Sequence, residues 1–314
     1  MKGYKIKTKI YFKSGLVRMI IMIKQFLKII KDEIKRIVNN LPKSGIIIFL
    51  KLAKIFLKFR LLKIKILDLT QINEIKTKKI DYLSNPKLLE SELLPKLGFN
   101  DESISLFHKE LHTYCGRGLL SWQYPNQFSK YLVQLSKLKI ETYLEIGVHY
   151  GGTFIITIEY LNKFHPIKEA VGIDIFLFPF LKLYKKMNPK VVHFMQIDSQ
   201  SSQFKEFINN YPGFDLVLID GNHEEDACRN DFETVKDKAN IVVFHDIIDN
   251  YWTGVNKVWN EINGEYSNEY NFFSYIDQYD SITKKTGKSF IGIGVAIKKD
   301  YLQRIGFTEV NSNR

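Results

Sequence analysis

The sequence predicts an α/β protein with an open, doubly wound and mostly parallel sheet, an antiparallel edge, and a basic helical extension in front. Three observations carry this prediction. After residue 140, short apolar runs alternate with longer mixed segments at the spacing of strand–helix units. The runs are continuously apolar, which suits parallel strands covered on both faces. Before Thr70, by contrast, lysine is threaded through isoleucine, leucine and phenylalanine.

Each element follows in order. Over residues 16–38, Leu16, Ile20, Ile23, Leu27, Ile30, Ile34 and Ile37 step at three or four, with Lys24, Lys28, Lys31 and Lys35 on another face. "GIIIFLKLAKIFLKFRLLKIKIL" repeats the idea after the break at Pro42, Lys43, Ser44 and Gly45. Neither stretch has the roughly 18 uninterrupted apolar residues of a spanning helix, and no small-residue cleavage site follows an apolar core. Such a pair suits the interface of an anionic membrane, or equally a helical hairpin packed on the main domain or on a second copy of the chain. Nucleic acid is a poorer fit, because the lysines are interleaved with aliphatics and not with aromatics and arginine. Residues 1–69 therefore read as a basic extension, residues 70–114 as a polar linker with lead-in helices, and residues 115–314 as the main domain. In that domain "ETYLEIG" reads as a strand, "TFIITIEYLNKF" as a helix, and "EAVGIDI" and "KVVHFMQID" as strands. "QFKEFINNY" reads as a helix, "FDLVLID" as a strand, "EDACRNDFETVKDKA" as a helix and "NIVVFHD" as a strand. "YNFFSYI" and "SFIGIGVAIKK" follow without a helix of similar length and are expected to form the antiparallel edge pair.

Bulk composition narrows the class. The 314 residues are 45% hydrophobic and 25% charged, as in globular proteins, with a net charge of +12. Cys115 and Cys228 make neither a zinc spacing nor a disulfide framework, which fits a reducing, cytoplasmic compartment, peripheral at the inner membrane face where the basic front end binds membrane and not protein.

In an open parallel sheet, ligands bind beyond the carboxyl ends of the strands. "YLEIGVHYGGT" places Gly147, Gly151 and Gly152 in the turn after the first strand, where a cofactor can press against the backbone. The spacing is not that of a dinucleotide fingerprint, and Glu145 at the strand end would repel phosphate. An acid there suits a cofactor carrying an ammonium group. Asp174, in "VGIDI", stands where a carboxylate reaches the hydroxyls of a ribose, and Asp198, in "MQIDSQ", where an adenine amino group is read. Thr153 and Ser199 complete this cofactor set.

"YLEIGVHYGGT", "VGIDI", "QIDSQ" and "DLVLIDGNHEEDACRNDFE" together resemble the class I, Rossmann-like, S-adenosylmethionine-dependent methyltransferases over roughly residues 115–297. "IDGNH" followed by "VVFHD" resembles a branch of metal-assisted O-methyltransferases acting on sugars, with rhamnosyl and cephalosporin-hydroxylase-like relatives. The resemblance implies S-adenosylmethionine as cofactor, Mg²⁺ or another divalent metal, and a sugar or glycan hydroxyl as acceptor. It assigns Asp220 and Asp246 as metal ligands and His223 as general base, near its ordinary pKa of about 6.5. His245 stands where relatives often carry an acid, and as a third ligand it favours Mn²⁺ or Fe²⁺ over Mg²⁺. Trp122, Tyr124, Tyr251 and Trp252 are expected beside the acceptor. Lys284, Lys285 and Lys288 read as a solvated face. Two other classes remain open: an iron hydroxylase using His223, His245 and Asp246, and a non-catalytic membrane-bound scaffold.

Overall fold

The computed structural model describes residues 67–102, 104–178 and 180–307. The two amphipathic stretches expected before residue 67 lie outside the described residues. Among the described residues, no helix is long and apolar enough to cross a membrane.

Seven strands form one sheet: β1 Thr142–Ile146, β2 Glu169–Asp174, β3 Val192–Gln196, β4 Phe214–Ile219, β5 Ala239–His245, β6 Tyr270–Tyr275 and β7 Ile293–Lys298. Their order is β3-β2-β1-β4-β5-β7-β6, with the first five parallel and β7 antiparallel to both neighbours. The eight larger helices that follow residue 124 are α1 Pro125–Leu135, α2 Gly152–Leu161, α3 Leu181–Met187, α4 Ser202–Asn210, α5 Glu225–Val235, α6 Thr253–Glu265, α7 Asp280–Thr286 and α8 Lys299–Arg304. The sheet is thus the doubly wound one expected, with its antiparallel pair at the edge. The short α7 stands between β6 and β7, and α3 and α6 are not evident from the apolar pattern.

β1, β2, β4 and β5 are buried on both sides, while β3 at the edge is only partly covered, and alternate residues enter different cores. Tyr143, Leu216, Leu218, Ile241 and Val243 pack with α1, α2 and α3. Leu144, Ile146, Val217, Ile219, Val242 and Phe244 pack with α4, α5 and α6. The segment read as linker and lead-in helices folds as a run of short helices from Leu69–Gln71 to Lys109–Tyr114. Ile72, Ile75, Leu83, Leu89, Leu93 and Leu97 bury themselves in the same core as α1 and α2. Lys76 reaches Glu159 of α2 at 3.4 Å, and the Tyr160 hydroxyl donates to the Leu83 carbonyl at 2.8 Å.

Local chemistry sets the helix boundaries next to the cleft. Pro125 opens α1 at its first turn, where its missing N–H costs nothing. Gly151, in the left-handed region at φ 84°, turns the chain into α2. The Ser201 hydroxyl caps α4 by accepting from Phe204 N at 3.2 Å.

Candidate active site

The carboxyl ends of β1, β2, β3, β4 and β5 open into one cleft of about 780 Å³. Glu145, Gly147, Gly151, Gly152, Thr153, Asp174, Asp198 and Ser199 all line it, as do Asp220, His223, His245 and Asp246. Trp122, Tyr251 and Trp252 border it as well. Tyr124 does not reach it. Its ring is fully buried between Phe107 and Tyr279, and its hydroxyl donates to the Leu106 carbonyl at 2.5 Å. The expectation of an acceptor contact is corrected: Tyr124 immediately precedes α1 and turns into the core, and it is Leu106 that faces the cleft.

The glycine turn is built for protein neighbours as much as for a ligand. Gly147 has φ 88°, and a Cβ there would lie 2.0 Å from the Asp220 carbonyl oxygen. A Cβ on Gly152 would lie 2.4 Å from the Leu119 carbonyl oxygen, so the segment before α1 rests directly on the start of α2. Gly147 and Gly152 thus let the end of β4 and the lead-in segment close around the cleft, and Gly151 makes room for Leu181 of α3.

Asp174 holds the shape of the cleft at the end of β2. Its Oδ2 accepts from His149 N at 2.8 Å and its Oδ1 from Phe176 N at 2.9 Å. Glu145 is fully buried and accepts from the Tyr143 hydroxyl. Burial pushes its carboxyl well above the usual carboxylate range; the Tyr143 bond and His245 oppose this, while Asp220 and Asp174 reinforce it. A neighbouring cation would reverse that shift, which is the chemistry an ammonium group supplies.

At the cleft floor four side chains close into a ring. His245 Nδ1 lies 3.0 Å from Asp220 Oδ1 and 3.2 Å from Asp246 Oδ1. His223 Nε2 lies 3.1 Å from Asp246 Oδ2 and 3.3 Å from Asp220 Oδ1. The backbone explains the convergence. Ile219 pairs with Phe244, so Asp220 and His245 stand side by side one step later. His245 and Asp246 would ordinarily project to opposite faces, but Asp246 adopts φ 63° and swings its carboxylate back to the same point. The Asn222 side chain accepts from Glu224 N at 3.0 Å and shapes the turn that carries His223.

Electrostatically the ring is a paired cluster. Burial disfavours charge on His223, but its contacts with Asp220 and Asp246 outweigh this and push its pKa up to about 9. His245 is raised further, with burial again opposed by the two aspartates, and both aspartates are held below their ordinary value by the histidines despite burial. The expectation of an ordinary imidazole at His223 is corrected accordingly: two carboxylates flank it. The nitrogens sit close to the oxygens yet out of alignment, since His223 Nε2 and His245 Nδ1 have no hydrogen-bond partner. That arrangement fits a shared cation. The 3.0–3.3 Å edges of the ring match the roughly 3 Å between neighbouring ligands bonded at about 2.1 Å to an octahedral ion. All four donors fall within 4.8 Å of one another.

Around this centre stand the expected Tyr251 and Trp252, together with Lys288 and with Asp249, which the sequence did not single out. Trp252 stacks on His223 with centroids 5.1 Å apart, and Lys288 lies 4.2 Å over the Tyr251 ring, so this lysine is not simply part of a solvated face. Asp249 accepts from Tyr251 N at 2.7 Å and from Ile291 N at 3.2 Å, tying the two walls of the acceptor side together. Asp249 follows a strand end by four residues, and nothing in its local sequence separates it from a loop aspartate.

Residues 144–247 match a family model described as a methyltransferase domain. No curated protein matches the chain. Among solved structures, an O-methyltransferase from Bacillus cereus in complex with S-adenosylhomocysteine is 14% identical, covering 73% of this chain and 96% of that one, with a TM-score of 0.43. TomG from Streptomyces achromogenes, an O-methyltransferase of tomaymycin synthesis in complex with S-adenosylmethionine, is 16% identical over 64% of this chain and 92% of its own, with a TM-score of 0.41. MycE, a methyltransferase of the mycinamycin pathway in complex with Mg and S-adenosylhomocysteine, is 18% identical over 58% and 50%, with a TM-score of 0.38. The sheet order and the domain match agree on the class: the fold is Rossmann-like, of the class I methyltransferase type, and residues 144–247 within it match a methyltransferase domain. The domain match makes it an enzyme, a methyltransferase.

Proposed function

We propose that the enzyme transfers a methyl group to a hydroxyl of a sugar or glycan, assisted by a divalent metal. The observation that carries this reading is the ring of Asp220, His223, His245 and Asp246, which lies in the same cleft as Glu145 and the glycine turn. Glu145 and Gly147 receive the amino-acid end of the cofactor, Asp174 its ribose, and Asp198 with Ser199 its purine. The cofactor supplies a methyl group on a sulfonium. Asp220, His245 and Asp246 would hold the metal, and the His245 imidazole among them favours Mn²⁺ or Fe²⁺ over Mg²⁺. A metal held there lowers the pKa of an acceptor hydroxyl and fixes its position.

The protein's own groups do the remainder. Asp220 and Asp246 favour a proton on His223 while their charge is unshared; a cation between them would remove that bias and would leave Nε2 as the group to take the acceptor's proton. Trp252, stacked on His223, offers a half-exposed aromatic face for a sugar ring, and Trp122 lines the same cleft. Leu106, Leu120 and Ile291 exclude water from the same space.

Titration calorimetry with S-adenosylmethionine, with and without Mn²⁺ or Mg²⁺, followed by methyl transfer to a panel of sugars, tests the reading. Micromolar cofactor binding and metal-dependent transfer that Asp246→Ala abolishes are expected. Absence of cofactor binding by the wild-type protein under every condition rejects it.

One observation favours a second reading. Both histidines share the ring with the aspartates, and two histidines with one carboxylate is a ligand set of non-haem iron. Oxygen consumption by iron-loaded protein, with no methyl transfer, would select it. The basic segment over residues 1–65 suits an anionic membrane and a lipid-linked glycan; a truncated protein that stays in the membrane fraction would reject that assignment.

A further inference from the structure

Asp231 sits midway along α5 and is fully buried. It belongs to the apolar stripe of Cys228, Phe232 and Val235, where a carboxyl has no packing role. Its Oδ1 accepts from Gln200 Nε2 at 2.8 Å. The same Gln200 nitrogen meets Ser199 Oγ at 3.1 Å and the Ala227 carbonyl at 3.3 Å, while Asn230 Nδ2 donates to Gln200 Oε1 at 3.0 Å. Ser199 and Gln200 form the wall of the cleft beyond β3. The other Asp231 oxygen, Oδ2, has no hydrogen-bond partner, and it faces Gly221, whose added Cβ would stand 3.6 Å from it. Buried carboxyl oxygens are rarely left in that state without a reason.

We propose that Asp231 is a positioning residue for the purine end of the cofactor: ionised, it locks the Ser199–Gln200 wall and tightens cofactor binding; protonated, it loosens both. This rests on the cofactor reading above. A charged acceptor makes a stronger hydrogen bond to Gln200 than a neutral one, so the wall is firmer when the carboxylate is ionised. A buried negative charge behind the wall also favours a cationic cofactor in front of it. Burial is the main cause that raises the Asp231 carboxyl to about 7, and the Asp198 charge adds to it, while Ser199 and Gln200 oppose. The change of state therefore falls at physiological pH. The charged and titratable groups around Asp231 are Asp198 on the loop before α4, Cys228 on its own helix, and Asp220, which adjoins Gly221. Arg229, next in the chain to Asn230, turns away to Glu261 and Glu265 of α6.

The test is the affinity for S-adenosylmethionine and S-adenosylhomocysteine by calorimetry from pH 5.5 to 8.5, on wild type, Asp231→Asn and Gln200→Ala. In wild type both ligands are expected to bind about three- to tenfold tighter at pH 8 than at pH 6. Asp231→Asn should stay at the weaker level, with this step removed from its profile. Gln200→Ala, which breaks the same link from the other side, should flatten the profile too and carries the test if the first variant does not fold. A merely structural aspartate would change melting temperature without removing a pH step. An Asp231→Asn profile that parallels wild type overturns the proposal and leaves the cofactor reading intact. Failure of wild type to bind either ligand at any pH overturns both.

Discussion

At the scale of single residues the cleft separates groups that hold shape from groups that carry charge. Asp174 satisfies two backbone N–H groups and has lone pairs left over, so Asp174→Ala removes two anchors of the loop and, on the proposed cofactor reading, a contact to the ribose. Calorimetry should show cofactor affinity falling about 10- to 100-fold. His223 makes a different prediction. In protein stripped of metal its imidazole should titrate near 9 by NMR and remain protonated at pH 7.5. Because the folded-state pKa is raised above the unfolded value of about 6.5, its contribution to stability is complete below that pH and disappears as pH climbs through about 9. Denaturant melts of the stripped protein should therefore weaken across that window, and those of Mn²⁺-loaded protein should not. Loss of the imidazole in His223→Ala should cost about a hundredfold or more in methyl transfer.

At the scale of elements the decisive contacts join turns to neighbouring strands. Gly147→Ala places a Cβ against the Asp220 carbonyl at a φ that disfavours side chains, so the end of β4 must shift. Thermal unfolding should register a loss of roughly 2–4 kcal/mol, with metal binding weakened as well. Tyr124→Phe offers the contrast. It removes a buried hydroxyl bonded to Leu106 and should cost about 1–2 kcal/mol in stability with cofactor affinity unchanged. The strands of the sheet were legible because parallel strands buried on both faces must be continuously apolar, and the acids ending β1, β2, β3, β4 and β5 were legible because the cleft of such a sheet lies there. Tyr124 was misread because aromatic character alone does not say whether a ring faces core or cleft. The left-handed Asp246 leaves no trace in composition, yet it creates the four-membered ring. Asp231 did leave a signal: a lone carboxyl at the spacing of Cys228, Phe232 and Val235 interrupts an apolar helix face.

At the scale of the molecule, two cores flank one sheet, and the short helices after Leu69 belong to the first of them. Removing residues 70–97 should therefore abolish cooperative folding, read as loss of a sigmoidal thermal transition. The strand order adds a consequence for how the protein is made. β7 enters between β5 and β6, and the Gly292 and Ile291 carbonyls just before it accept from Ile247 and Ile248. The residues that follow Asp246 are thus clamped by chain synthesised some forty-five positions later. A nascent chain arrested on the ribosome before residue 290 already owns every strand of the cofactor half, but the clamp that fixes its acid and imidazole centre has yet to emerge. Ligand-binding competence should precede catalytic competence during translation, and the interval between them is the time needed to make β6, α7 and β7.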